Sequence, residues 1–235
     1  MYVKLCGITD VAQVPALVAC GPDALGINLI PSSKRYVSLE LARSLISAIR
    51  TENRAQGKHV ECVAVVSAEQ LPPEFSTEGF GGRVESLLDD PSFDRIQLHA
   101  ADPTATWQAL RNSSGSASAK IFLAAQIAGP EDAERASGFP GAPLLVDAKV
   151  GNSLGGTGHS FDWSLVEALA TSRDLLLAGG LDAEKLPRAI AQVHPWGVDV
   201  ASGIESGTPG IKDLKKCEAF VAAARAASIA VEKSE

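Results

Sequence analysis

The sequence predicts an α/β protein, a closed (β/α)8 TIM barrel, on three observations. A short apolar run, a turn and a helix-period segment recur eight times along 235 residues. Barrels of this kind commonly run to about 250 residues as one unit. The polar and glycine residues of chemical interest fall just after the runs read as strands, where this fold gathers its working groups. One barrel domain over residues 1–235 is therefore expected. An open doubly wound sheet is the alternative, because periodicity does not show closure.

Tyr2 to Cys6 (YVKLC) is the first strand; the turn Gly7-Ile8-Thr9 leads into a helix from about Asp10 to Ala19, ended by Gly21. Ala24 to Ile30 is the second strand, and Ser38 stands where it can cap LELARSLISAIR, whose Leu41, Leu45, Ile46 and Ile49 share one face. Val60 to Val66 and Arg95 to Leu98 are strands three and four. Between them Ser67 to Asp94 mixes breakers with one short helical signal at Val84 to Leu88, and a surface excursion is expected there. Pro103 to Arg111 gives a helix, Ser113 to Ala119 a polar loop, and Lys120 to Ala125 the fifth strand. Pro130 to Ser137 is a short helix with proline near its first turn. Leu144 to Val146 is strand six, with Asp162 as N-cap of the helix holding Trp163, Leu165, Val166 and Leu169. Leu175 to Ala178 runs into Gly179-Gly180 and a helix near Glu184 to Gln192. Gly197 to Val200 is the eighth strand, and Asp213 caps a last helix with Leu214, Cys217, Phe220, Val221 and Ala224 along one side.

Apolar residues at 46% and charged residues at 21% describe an ordinary globular chain with ample material for a core. The net charge of −7 argues against nucleic acid or an anionic membrane as partner, while a small anionic substrate needs only a few local donors. No stretch approaches the roughly 18 apolar residues of a membrane helix, and MYVKLCGITD lacks the features of a leader, so a cytoplasmic chain is expected. Cys6, Cys20, Cys62 and Cys217 contain no C-x-x-C pair, and His59, His99, His159 and His194 are equally scattered. Neither a metal nor a disulfide scaffold is expected. Monomer and homodimer both stay open.

The chemistry has a sharp reading and a bland one at each position. Asp147 follows an apolar run and precedes a loop with Gly151, Gly155, Gly156 and Gly158, which can bring backbone N–H groups to an anion or act as a lid. Plain turn chemistry is the bland reading. Gly179-Gly180 and Ser202-Gly203 occupy the two loops that form the usual phosphate pocket of such barrels; each alone reads as a tight turn, but together they favour phosphate. Cys6 reads as a small core residue, like the other three cysteines, or as a base. As a base it needs a nearby cation or dipole, since a thiol near pKa ~8.5 is mostly neutral at pH 7. Arg35 is a solvated loop charge or a planar fork for a carboxylate. Gln97 and His99 line the mouth as packing groups or substrate contacts, with Asp199 nearby. Trp163 reads as a helix staple, and Trp107 and Trp196 as core or rim.

The segments VKLCGITD, PSSKRYVS, IQLH, VDAK with GGTGHSFDW, AGGL, and VDVASGIES with PGIKD together resemble the phosphoribosylanthranilate isomerase family of tryptophan biosynthesis. The resemblance implies a cofactor-free Amadori rearrangement of N-(5-phosphoribosyl)anthranilate to 1-(2-carboxyphenylamino)-1-deoxyribulose 5-phosphate. It implies Cys6 as general base, Asp147 as general acid, Arg35 on the anthranilate carboxylate, the Gly155-Gly156 loop closing over substrate, and Gly179, Gly180, Ser202 and Gly203 on the phosphate. Ring opening then requires a protonated Asp147, and abstraction at C2′ requires a thiolate at Cys6. Ala100 stands where the family usually has Gly and Ala201 where Ser is common, and Ser67 to Asp94 is longer than usual. The related sugar-phosphate isomerase of histidine biosynthesis carries Asp in place of Cys6. A silent barrel that only binds a phosphorylated metabolite would need neither Cys6 nor Asp147.

Overall fold

The computed structural model describes residues 1–70, 87–88, 90–114, 119–148 and 162–232. Eight parallel strands close on themselves in sequence order. They are β1 (Tyr2–Cys6), β2 (Ala24–Asn28), β3 (Glu61–Ser67), β4 (Arg95–His99), β5 (Ile121–Ile127), β6 (Leu144–Ala148), β7 (Leu175–Ala178) and β8 (Gly197–Val200). Closure is made by β1 against β8, with Tyr2 level with Gly197, Lys4 with Asp199 and Leu5 with Val200. The open-sheet alternative is thereby excluded. Around the barrel lie α1 (Val14–Ala19), α2 (Leu39–Gln56), α3 (Pro103–Ser114), α4 (Pro130–Ser137), α5 (Ser164–Ser172), α6 (Leu186–Val193) and α7 (Leu214–Glu232).

Strands buried on both faces explain the continuous apolar runs of the sequence. Val3, Leu5, Leu25, Ile27, Ala64, Ile96, Leu98, Val198 and Val200 point outward into the layer shared with the helices. Ala24, Val63, Phe122, Ala124, Leu145, Leu176 and Ala178 fill the barrel interior. Because successive residues alternate faces, Lys4, Cys6, Gln97, Asp147 and Asp199 fall on the inner face, Lys4 and Gln97 midway along their strands and Cys6 and Asp147 near the C-terminal ends of theirs. At the opposite end, Tyr2 stacks on Trp196 with ring centroids 4.7 Å apart. There the Tyr2 hydroxyl donates to Glu61 at 2.7 Å and Glu61 pairs with Arg95.

Several expected boundaries shift for local reasons. The first helix begins with a 3-10 turn, Val11–Gln13, whose N-terminal N–H bonds to the Asp10 carboxylate. β2 ends at Asn28, where the Asn28 side chain accepts from Ile30 and turns the chain aside. β3 begins at Glu61, β5 runs to Ile127, and α3 continues to Ser114. β6 continues through Asp147 to Ala148, so the carboxylate belongs to the strand itself and is level with Ala178 of β7. The N-cap of α5 is Trp163; Asp162 instead accepts from the Ser164 N–H and hydroxyl. α6 starts at Leu186, after a turn in which the Asp182 carboxylate takes the N–H groups of Glu184 and Lys185. Ser38 caps α2 as expected, and Asp213 accepts from Lys215 and Lys216 at the start of α7. Of the segment expected as an excursion, Leu87 and Leu88 are buried and helical; 71–86 and 89 lie outside the described residues.

Candidate active site

Lys4 is fully buried and sits inside the barrel. Its ammonium donates to Asp199 Oδ1 at 2.8 Å and to Gln97 Oε1 at 2.9 Å. The Gln97 carbonyl is thus committed to Lys4, which turns its NH2 group toward His99 Nε2 at 3.0 Å. An amide nitrogen only donates, so His99 Nε2 must accept, and the ring is neutral with its proton on Nδ1. Burial, reinforced by the nearby Lys4 charge, brings the imidazole down to about 4. Burial alone would discharge Lys4, but the Asp199 carboxylate and, after it, Cys6 together outweigh burial and raise the ammonium above its ordinary value.

Cys6, the last residue of β1, is 7% exposed. Burial pushes its thiol up; Lys4 and, more weakly, Lys212 pull it back down. The other cysteines sit elsewhere: Cys62 and Cys217 are fully buried with thiols raised to about 12, chiefly by burial. Cys20, expected in the core, is half-buried, with its thiol donating to the Ala16 carbonyl at the end of α1.

Arg35, in the loop after β2, is held by Glu205. Its Nε and Nη2 donate to the two carboxylate oxygens at 2.6 and 2.7 Å. The same carboxylate accepts from the Gly210 N–H and from Lys212 Nζ at 3.0 Å. Burial would raise Glu205, but these three donors, Arg35 foremost, overwhelm it and bring it to about 2. Lys212, itself fully buried at the side chain, also donates to the Ala201 carbonyl.

Arg35, Asp147, Gly179, Gly180, Asp199 and Ser202 border one cavity of about 190 Å³. Six of the residues singled out in the sequence thus share an opening. Gly179 and Gly180 have φ of +96° and +63°, the left-handed region that lets the chain turn sharply off β7. Gly203 serves differently: a Cβ there would lie 2.0 Å from the Leu181 carbonyl oxygen, so its lack of a side chain lets the turn Ser202–Ile204 pack against the β7 loop. Gln97 lies below the cavity within the barrel, and His99 borders a second space of about 550 Å³ with Glu69, Gln126 and Arg135. Gly155 and Gly156 lie outside the described residues. Trp163 is buried with the Arg188 guanidinium 5.5 Å above its ring, Trp107 packs over Gly141, and Trp196 sits at the far rim.

Residues 3–223 match the protein family described as N-(5'-phosphoribosyl)anthranilate (PRA) isomerase. The chain belongs to this family. The enzyme of that name from Roseiflexus castenholzii is 34% identical over 232 residues, covering 97% of this chain and all of that one. The crystal structure of phosphoribosyl anthranilate isomerase from Thermotoga maritima superposes with a TM-score of 0.76 at 29% identity, covering 96% of this chain and 99% of that one. Another similar structure, at TM-score 0.73, 28% identity and the same coverage, is of the isomerase in complex with reduced 1-(o-carboxyphenylamino)-1-deoxyribulose 5-phosphate. The protein is accordingly an isomerase of tryptophan biosynthesis with the barrel of its family.

Three charged residues of this isomerase escaped sequence reasoning: Lys4, Glu205 and Lys212. Lys4 carried a signal, since a charged residue in the middle of YVKLC contradicts a strand buried on both faces unless it has a partner. Glu205 and Lys212 sit in ASGIESGTPGIKD, where a solvated loop was the natural reading. Among the described residues, no group of three or more His, Cys, Asp or Glu side chains is arranged to hold a metal ion, and no helix is long and apolar enough to cross a membrane.

Proposed function

We propose that this isomerase acts on N-(5'-phosphoribosyl)anthranilate with Asp147 as general acid and Cys6 as general base. The observation that carries the reading is the shared cavity, bordered at once by Asp147, Arg35, the Gly179-Gly180 turn and Ser202, with Cys6 ending the strand beside β8. In the first step the Asp147 carboxyl gives its proton to the furanose ring oxygen. The C1′–O bond breaks, and the anthranilate nitrogen donates its lone pair to give an open-chain iminium. The Cys6 thiolate then removes the C2′ proton, and that electron pair forms the C1′–C2′ double bond while the nitrogen regains its lone pair. The resulting enolamine takes a proton at C1′ and loses one from the C2′ hydroxyl, which leaves the ketone.

The other groups suit the remaining charges of the substrate. Gly179, Gly180, Ser202 and Gly203 present backbone and hydroxyl donors for the phosphate. Arg35 keeps one guanidinium nitrogen beyond the two held by Glu205, enough to meet the anthranilate carboxylate. Gln97, His99 and Asp199 complete the polar wall, and Gly155-Gly156 would close over the substrate. The decisive experiment follows the decay of phosphoribosylanthranilate fluorescence on adding the protein, coupled to the next pathway enzyme to remove product. Decay supports the reading; activity confined to the histidine-pathway substrate, or none on either, overturns it.

A further inference from the structure

A buried thiol is a poor base, and the reading of Cys6 requires something to make its thiolate attainable. The barrel interior supplies one full positive charge, on Lys4, two residues before Cys6 on β1 and on the same inner face. Asp199, level with Lys4 on β8, and Gln97 on β4 take two of its three N–H donors. The remaining one is left for the gap over Gly26 of β2. A methyl group placed on Gly26 would meet Cys6 Sγ at 2.8 Å and Lys4 Nζ at 3.1 Å, so sulfur and ammonium converge on one point that only glycine leaves open.

We propose that Lys4 is the counter-ion of the Cys6 thiolate, a positioning residue that acts through Cys6 without touching substrate. This rests on the reading of Cys6 as general base. Asp199 and Gln97 aim the ammonium and prevent it from swinging away, and Gly26 keeps the space between the two clear. The charged groups that act on the thiol are Lys4 on β1, Asp199 on β8, Lys212 after β8 and Arg35 after β2. On β4 the facing groups are Gln97 and the neutral His99. Asp199 disfavours the thiolate and Lys212 favours it less than Lys4 does, so Lys4 is the foremost charge opposing burial, which still leaves the thiol raised without substrate. Attraction between opposite charges a few ångströms apart and shielded from water shifts a titration by roughly one to three units.

The test is a titration of the thiolate by its ultraviolet absorbance, taken as the difference from Cys6→Ser protein, alongside the pH profile of kcat/KM. In Lys4→Met the thiolate midpoint is expected to rise by about one unit or more, and kcat to fall at least about tenfold at neutral pH with little change in KM. Lys4→Arg should restore most of both. Because Lys4→Met leaves Asp199 buried without its partner, the double variant Lys4→Met/Asp199→Asn is measured as well, and its midpoint should still lie above the parent's. An unmoved midpoint in either folded variant, with only a lower Tm, would reduce Lys4 to a core ion pair and overturn the proposal. Full kcat in Cys6→Ala would instead remove the base itself, an outcome the titration, which needs no turnover, keeps separate.

Discussion

Arg35 and Glu205, 170 residues apart in sequence, form a two-pronged ion pair at 2.6 and 2.7 Å across the rim of the barrel. The pair fixes the guanidinium plane beside the cavity and ties the loop after β2 to the loop after β8. Glu205→Ala removes the acceptor shared by Arg35, Lys212 and the Gly210 N–H, and leaves the Lys212 charge buried and uncompensated. Breaking a buried pair in this way costs about 3 kcal/mol or more, which lowers Tm by roughly 10 °C. Calorimetry on Glu205→Ala should show it. KM for the carboxylate-bearing substrate should rise about tenfold as the fork loses its orientation; an unchanged KM would show that Arg35 needs no such support.

The proposed acid and base are separable by kinetics. Asp147→Asn and Cys6→Ala should each lose about 10²- to 10⁴-fold in kcat with modest change in KM, because each acts on a proton moved only in the transition state. Steady-state rates on both variants test the two roles independently, and unchanged kcat in either removes that residue from its role.

Acid should destabilise the fold in a window set by His99. Its folded value of about 4 lies below the ordinary 6.5. The neutral ring is therefore the folded form, and the stability it contributes is complete above pH 6.5. As pH falls, the unfolded chain takes up a proton that the folded chain refuses until about pH 4, a loss of up to about 3 kcal/mol. Urea midpoints across this window should fall with acidification and fall less in His99→Asn. Glu205, at about 2 against an ordinary 4.5, adds its own loss only at lower pH.

Two glycines of the proposed phosphate loops should respond unequally to alanine. Gly180 has φ of +63° with open space around its would-be Cβ, so Gly180→Ala costs only the backbone strain of about 1–2 kcal/mol. Gly203→Ala drives a methyl to 2.0 Å from the Leu181 carbonyl oxygen and must push the Ser202–Ile204 turn off the β7 loop. Its Tm should drop further, and its affinity for inorganic phosphate, read by inhibition, should weaken more than that of Gly180→Ala. Equal effects would mean that the contact is relieved by a shift elsewhere.

The eight strands were legible because strands covered on both faces must be apolar throughout, and Ser38, Gly21 and Asp213 marked helix ends through local hydrogen bonds and turns. Boundaries drifted where a side chain redirected the backbone, as at Asn28 and Asp162. Cys6, Asp147 and the two glycine loops could be picked out as strand-end chemistry, since that position follows from chain order alone.

What the sequence by itself determined, then, is everything that depends on neighbours a few residues away: the alternation of strand and helix, the turns, and the residues delivered to each strand end. Only the closed barrel decided what those residues meet. Lys4 looks like a misplaced charge until β8 brings Asp199 level with it and β4 brings Gln97 across the interior. Arg35 looks like a free loop cation until Glu205 arrives from the far end of the chain. Pairings across 93, 170 and 195 residues leave no local trace, because the electrostatic partner of a buried charge is selected by the geometry of closure.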